Sequence, residues 1–233
     1  MKLAVMLPTY NEAGNIRAMI SALLSLKLDM DIVVADDNSP DGTWRIVEEI
    51  GRKNKRVHLL LRKEMKGRGY AGREGFLACM RLKPDAVVEM DADFSHNPKY
   101  IPQMLAQLKN ADVVLGSRYM AQAREERGDF FRRSLSEVAR WYVNMLLGFR
   151  LTDPLSGFRC FRRKVLEHID VPSLKSPDYF IVTEVLYHCV MKGFTVKEIP
   201  IIFEKRREGK SKLEGKMLMK YVTGVLKLRH RRG

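Results

Sequence analysis

Short apolar runs alternate with helical segments through the first half of the chain. That alternation limits the fold more than any other feature. Residues 3–7 are an apolar run closed by Pro8, and residues 15–26 show helical periodicity after the breaker Gly14. Residues 31–35 form a second run, and residues 43–50 a helix after Asp41-Gly42. The pattern repeats at 57–61 and 68–81, at 86–90 and 99–108, and ends in a fifth run at 113–115. Strands alternating with helices predict an α/β fold, with a mostly parallel central sheet flanked by helices and right-handed crossovers. The 233 residues suit one sizeable α/β domain better than two small ones. In open sheets of this kind, ligands gather outside the carboxyl ends of the strands.

Three polar clusters fall at those ends. The first run leads into Pro8-Thr9-Tyr10-Asn11-Glu12, and the second into Asp36-Asp37-Asn38-Ser39-Pro40-Asp41-Gly42. The fourth leads into Asp91-Ala92-Asp93. One such cluster is ordinary turn chemistry, whereas three on one sheet edge predict a site. Asp91 and Asp93 are two apart and can face one ion once the pleat breaks; hard cations such as Mg²⁺ take oxygen ligands and share their shell with phosphates. Solvated acids in a turn are the competing reading. Asp36 and Asp37 can accept hydrogen bonds from a base or ribose, or can serve the turn before the helix at Thr43. Asp41 reads as the cap of that helix, and Glu12 as either a ligand contact or a first-turn acid.

The net charge of +14 is unevenly placed. Residues 205–233 hold eleven Lys or Arg against Glu208 and Glu214. Such a tail suits polyphosphate, nucleic acid or an anionic membrane. No stretch approaches the ~18–20 apolar residues of a spanning helix. No signal-peptide pattern opens the chain. These features predict a protein on the cytosolic side. Cys79, Cys160 and Cys189 lack metal-ligand spacing and are expected to be buried, reduced thiols.

Read together, the three clusters resemble family 2 glycosyltransferases with the GT-A fold, a Rossmann-like nucleotide-diphospho-sugar transferase fold. Gly116-Ser117-Arg118-Tyr119, the segment Asp153-Pro154-Leu155-Ser156-Gly157-Phe158 and Gly209-Lys210-Ser211-Lys212-Leu213 narrow it to the dolichyl- or polyprenyl-phosphate mannose synthase branch. The resemblance covers essentially the whole chain. It implies a catalytic domain over 1–213 and a basic amphipathic helix or tail over 214–233. It assigns Pro8, Thr9, Tyr10, Glu12, Ala35, Asp36 and Asp37 to the nucleoside. Asp91, Ala92 and Asp93 would serve the donor, with Mg²⁺ or Mn²⁺ on the two carboxylates. Arg118 would lie near the sugar or acceptor phosphate, Arg132, Arg206 and Lys212 would bind phosphates, and Glu184 matches a carboxylate near the site. Ser95 stands where some relatives place Gln beside the metal.

The implied reaction is an inverting transfer of mannose from GDP-mannose to a lipid phosphate. UDP-glucose is the rival donor, and a basic nucleic-acid-binding protein the rival class. No nucleic-acid motif accompanies the tail, and acidic strand ends repel phosphate without a metal. A phosphate acceptor is largely ionised near neutral pH, with its second pKa near ~6, and needs cations more than a strong base. Arg206 and Lys212 fit that demand, and Gly209 and Gly215 flank a loop, 210–214, that can close over substrates. Two amphipathic helices are expected. One spans 134–149 with Leu135, Val138, Tyr142, Met145, Leu146 and Phe149; the other spans 216–228 with Leu218, Tyr221, Val222, Val225 and Leu228. Each can pack on the body or lie in a membrane interface. Peripheral attachment to the cytosolic membrane face, with a small membrane-anchoring subunit as a further partner, follows from the resemblance.

Overall fold

The computed structural model describes residues 1–64, 66–125, 130–204 and 215–230, and at 124–125, 130–135 and 215–220 it describes the backbone alone. The first half follows the expected alternation. The strands are β1 (Leu3–Thr9), β2 (Met30–Asp36), β3 (Val57–Leu61), β4 (Ala86–Glu89) and β5 (Val113–Ser117). Between them run α1 (Ala13–Ser25), α2 (Thr43–Lys53), α3 (Arg68–Arg81) and α4 (Ile101–Gln107), the last preceded by a single 3₁₀ turn. The second half adds β6 (Arg124–Glu125), α5 (Phe130–Leu147), β7 (Arg159–Arg162), α6 (Arg163–His168), α7 (Ile181–Met191), β8 (Val196–Pro200), β9 (Ile202–Phe203) and α8 (Gly215–His230).

Seven strands form the main sheet in the order β3-β2-β1-β4-β7-β5-β8. Only β7 runs against its neighbours, pairing antiparallel with both β4 and β5. The sheet is therefore mostly parallel, as the alternation predicts. β6 and β9 form a separate parallel pair.

Both faces of the sheet are covered, so its strands read as continuous apolar runs. Side chains alternate in direction along a strand. Leu3, Val5 and Leu7 pack with Ile16, Met19, Ile20 and Leu23 of α1, while Ala4 and Met6 face Phe76 and Cys79 of α3. Phe76 meets Phe161 edge-on at 5.6 Å between centroids, joining α3 to β7. The three cysteines are buried and free, and burial pushes the Cys189 thiol up to about 12. They are inert core groups.

The two amphipathic helices lie side by side, with the Tyr142 hydroxyl donating to the Val222 carbonyl at 3.2 Å. Val143, Leu147, Val225 and Leu228 are buried in the second core cluster. Val138 and Met145, expected in one stripe with the buried Phe149, face outward instead. The stripe is wider than one helix face, so part of it reaches the core and part of it reaches solvent.

Candidate active site

The β1 and β2 ends are fastened to each other. Pro8 pairs with Ala35 and Thr9 with Asp36 in the parallel register. Asp36 is fully buried. Its Oδ2 accepts from Thr9 Oγ1 at 2.8 Å and Ser39 Oγ at 2.7 Å, and its Oδ1 from the Ser39 amide at 2.8 Å. These inward bonds make Asp36 a staple between two strand ends, and its oxygens face protein rather than the cleft. Asn11 and Asn38 turn the chain with φ of 60° and 53°. Asn is among the residues that tolerate this left-handed region.

Asp37 is also buried, and it reaches sideways. It pairs with Arg62 beyond β3, and its Oδ2 accepts from the Gly67 amide at 2.7 Å. Arg62 is further held by Glu74 of α3 at 2.9 Å. The N-cap of α2 is Gly42, in the left-handed region, rather than Asp41, which lies one residue earlier and accepts from the Thr43 amide at 3.0 Å and the Ala13 amide at 2.9 Å. Glu12 accepts from Asn15 Nδ2 at 2.8 Å in the first turn of α1. Tyr10 is open, 40% exposed.

The β4 end is built differently. Phe94 takes φ of 65°, a strained value for a bulky residue, and buries its ring in the core. That turn places Asp93 inward and leaves Asp91 facing out. Asp93 is 3% exposed, and its Oδ1 accepts from the Ser95 amide at 3.0 Å and Ser95 Oγ at 2.5 Å. Ser95 therefore orients Asp93. Ala92 is buried beneath them. The Asp91 amide donates to His96 Nδ1 at 3.0 Å, which assigns the ring hydrogen to Nε2. His96 stacks on Phe158 with centroids 5.2 Å apart. The Asp91 side chain is 25% exposed, and its nearest cation is Arg68 Nη2 at 3.9 Å.

Arg118 meets Asp153 in a two-pronged pair, Nε to Oδ2 at 2.7 Å and Nη2 to Oδ1 at 2.9 Å. Asp153 is fully buried, and its own amide donates to Glu198 at 2.7 Å. The pair ties the end of β5 to the segment before β7. Glu184, expected at the site, is buried in α7 and accepts from the amides of Lys175 and Ser176 at 3.2 and 3.0 Å. It shapes the 175–177 loop. Arg132 lies in α5 where the backbone alone is described. Arg206, Lys212 and the closing loop 210–214 lie outside the described residues.

The head of α3 is a part of this region that the strand-end pattern misses. The Gly69 amide donates to the Pro177 carbonyl at 3.0 Å, and a Cβ on Gly69 would sit 1.9 Å from the Ser176 carbonyl oxygen. Only glycine permits that approach. Arg68 enters there beside Glu89 and Arg159. The glycine-rich basic run Lys66-Gly67-Arg68-Gly69 was its visible signal.

A mostly parallel sheet with acidic strand ends places the molecule among GT-A nucleotide-sugar transferase folds. Glucosyl-3-phosphoglycerate synthase from Mycobacterium tuberculosis superposes with a TM-score of 0.74 at 20% identity, over 98% of this chain and 80% of that one. Mannosyl-3-phosphoglycerate synthase from Rubrobacter xylanophilus gives 0.68 at 18% identity, over 100% and 74%. The chain belongs to glycosyl transferase family 2, whose model matches residues 4–170. It is 35% identical to a polyprenol monophosphomannose synthase of Mycolicibacterium smegmatis, over 91% of this chain and 80% of that protein. It is 32% identical to an undecaprenyl-phosphate mannosyltransferase of Micrococcus luteus, over 97% and 93%. A dolichol-phosphate mannosyltransferase of Pyrococcus furiosus is 34% identical over 98% of this chain, which spans 64% of that longer protein. The protein is thus a family 2 glycosyltransferase whose relatives include mannosyltransferases named for lipid-phosphate substrates.

Proposed function

We propose that the protein transfers mannose from GDP-mannose to a dolichyl or polyprenyl phosphate, with inversion, at the cytosolic face of a membrane. The observation that carries this reading is near-full-length similarity to two lipid-phosphate mannosyltransferases. Asp91 and Asp93 would hold Mg²⁺ or Mn²⁺. The site fits such an ion: its donors are hard oxygens, and Asp91 is a partly exposed carboxylate that accepts no hydrogen bond among the described residues. No cluster of three or more His, Cys, Asp or Glu side chains able to hold a metal occurs among the described residues, which suits an ion completed by water and donor phosphates. When bound, the ion offsets the charge of the departing diphosphate.

The chain's own residues divide the remaining work. Tyr10 and the strand-end backbone would border the nucleoside, with Asp36 and Asp37 fixing the loops that carry it. Arg118 and Glu184 would set the walls, since both charges are engaged with protein partners. Arg132, Arg206 and Lys212 would supply the cations that position the acceptor phosphate.

No helix among the described residues is long and apolar enough to cross a membrane. Peripheral seating finds support in α5, where Val138, Trp141 and Met145 are exposed at helical spacing. Val222 and Leu226 are exposed on the adjoining α8, whose last turn carries Lys227, Arg229 and His230. An apolar ridge with basic neighbours suits an anionic lipid surface.

The test is sugar transfer to a short polyprenyl phosphate from labelled GDP-mannose and, separately, UDP-glucose. The reading expects transfer from GDP-mannose. Transfer from UDP-glucose alone would overturn the donor and leave the reaction class standing.

A further inference from the structure

Beneath Asp91 lies a cluster of charge that the strand-end pattern does not reveal. Glu89 of β4 and Arg159 of β7 are direct partners across the antiparallel register, and both side chains are 1% exposed. Arg159 Nη2 lies 3.3 Å from Glu89 Oε2, and Arg159 Nη1 donates to the Val182 carbonyl at 2.6 Å. Arg68 approaches from the head of α3, where its side chain is nine-tenths buried. Its Nη2 donates to Glu89 Oε1 at 2.7 Å and stands 3.9 Å from Asp91 Oδ1. Its Nη1 is lodged over Gly72, where a Cβ would come within 3.0 Å, and has no hydrogen-bond partner.

The charges in this cluster do not cancel by themselves. Two buried guanidinium groups share one buried carboxylate. Buried charges need counter-charges. Glu89 accepts a hydrogen bond from Arg68 and stands within ion-pair distance of Arg159, so one carboxylate serves two cations, and the next negative charge beside Arg68 is Asp91. A divalent cation arriving at Asp91 must therefore displace, or compete with, a fixed positive charge.

We propose that Arg68 is a positioning residue that occupies the electrostatic place of the metal at Asp91 and weakens metal binding until a nucleoside diphosphate adds its own negative charge. This rests on the reading of Asp91 and Asp93 as the metal carboxylates. Arg68 acts through Asp91 and touches no reacting atom. Its effect is to make the metal arrive and leave with the nucleotide instead of remaining bound to the empty protein. A purely structural Arg68 would give the opposite signature, because loosening the cluster would weaken metal binding.

The experiment is titration of Mn²⁺ alone, followed by the loss of the free-ion electron paramagnetic resonance signal, with and without GDP. Arg68→Met leaves Glu89 with Arg159 as its one remaining cation and should fold. A unit charge within about 4–6 Å shifts ion affinity by at least about tenfold. Arg68→Met is therefore expected to tighten Mn²⁺ binding without GDP by about tenfold, and Arg68→Lys to stay near wild type. Glu89→Gln, which leaves two cations unbalanced, is expected to weaken it by a similar factor, with circular dichroism checking that it folds. Unchanged or weaker Mn²⁺ binding in folded Arg68→Met would overturn the role of Arg68. If the wild-type protein with GDP fails to bind Mn²⁺, the metal reading falls and this proposal with it.

Discussion

Two ends of the same sheet use the same residue type in opposite ways. At the β1 and β2 ends, Asp36 turns both oxygens inward to Thr9 and Ser39. At the β4 end, Asp91 keeps its carboxylate toward the cleft with a cation at 3.9 Å. Asp36 is fully buried, whereas the Asp91 side chain is a quarter exposed. One end spends its charge on holding the loops, and the other keeps its charge available. Both carboxylates mark the site from the sequence, and of the two Asp36 builds the wall while Asp91 is left open to a ligand.

Substitutions can break this contrast. The largest effect should come from Asp91→Asn, which keeps shape and removes the charge. Sugar transfer is expected to fall by about a hundredfold or more, the scale of losing one electrostatic catalytic group, while the protein keeps its fold, because Glu89 still holds Arg68. Loss of folding in Asp91→Asn would erase the distinction between the two ends. Next comes Asp153→Ala, which removes the buried carboxylate that Arg118 grips. Breaking a buried pair costs about 3–5 kcal/mol, measurable as a lower denaturation midpoint. Asp36→Ala leaves the Ser39 amide and two hydroxyls without their acceptor. It should cost about 2–3 kcal/mol, again read by denaturant unfolding.

The smallest effect lies at the far edge of the sheet. Asp112 accepts from Thr195 and Lys164, which hold its carboxyl down at about 2 against the opposing pull of partial burial. Its folded value is below the unfolded one, so its stabilisation is complete above about pH 4 and fades as pH falls toward 2. Lys164 is half exposed, so screening limits the contribution to about 1 kcal/mol. Asp112→Asn should lower stability by that amount at pH 7 and by almost nothing at pH 2. Equal losses at both pH values would remove the ionic explanation.

Much of the fold was legible in the sequence because period and punctuation agree through residue 117. The start of α2 was readable from Asp41-Gly42, although Gly42 is the N-cap and Asp41, one position before it, accepts from the Thr43 amide. β7 was harder: its four residues, Arg-Cys-Phe-Arg, mix charge with apolar side chains, and its antiparallel insertion depends on tertiary pairing. The inward hydrogen bonds of Asp36 and of Asp93 Oδ1 were hidden for a similar reason. Their hydroxyl partners Ser39 and Ser95 sit three and two residues away, but only the turn geometry aims them back. Arg68 looked like an ordinary first-turn residue of α3, a helix whose packing against Glu89 spans 21 positions of sequence. Charge balance in a core is a property of the assembled molecule.

The most direct measurement is transfer of labelled mannose from GDP-mannose to polyprenyl phosphate, with Mn²⁺ and then with excess chelator, using wild-type and Asp91→Asn proteins in parallel. The account predicts mannosyl-phosphate lipid from the wild-type protein with metal, near-complete loss with chelator, and the same loss in folded Asp91→Asn. Undiminished transfer with chelator, or by Asp91→Asn, would contradict it.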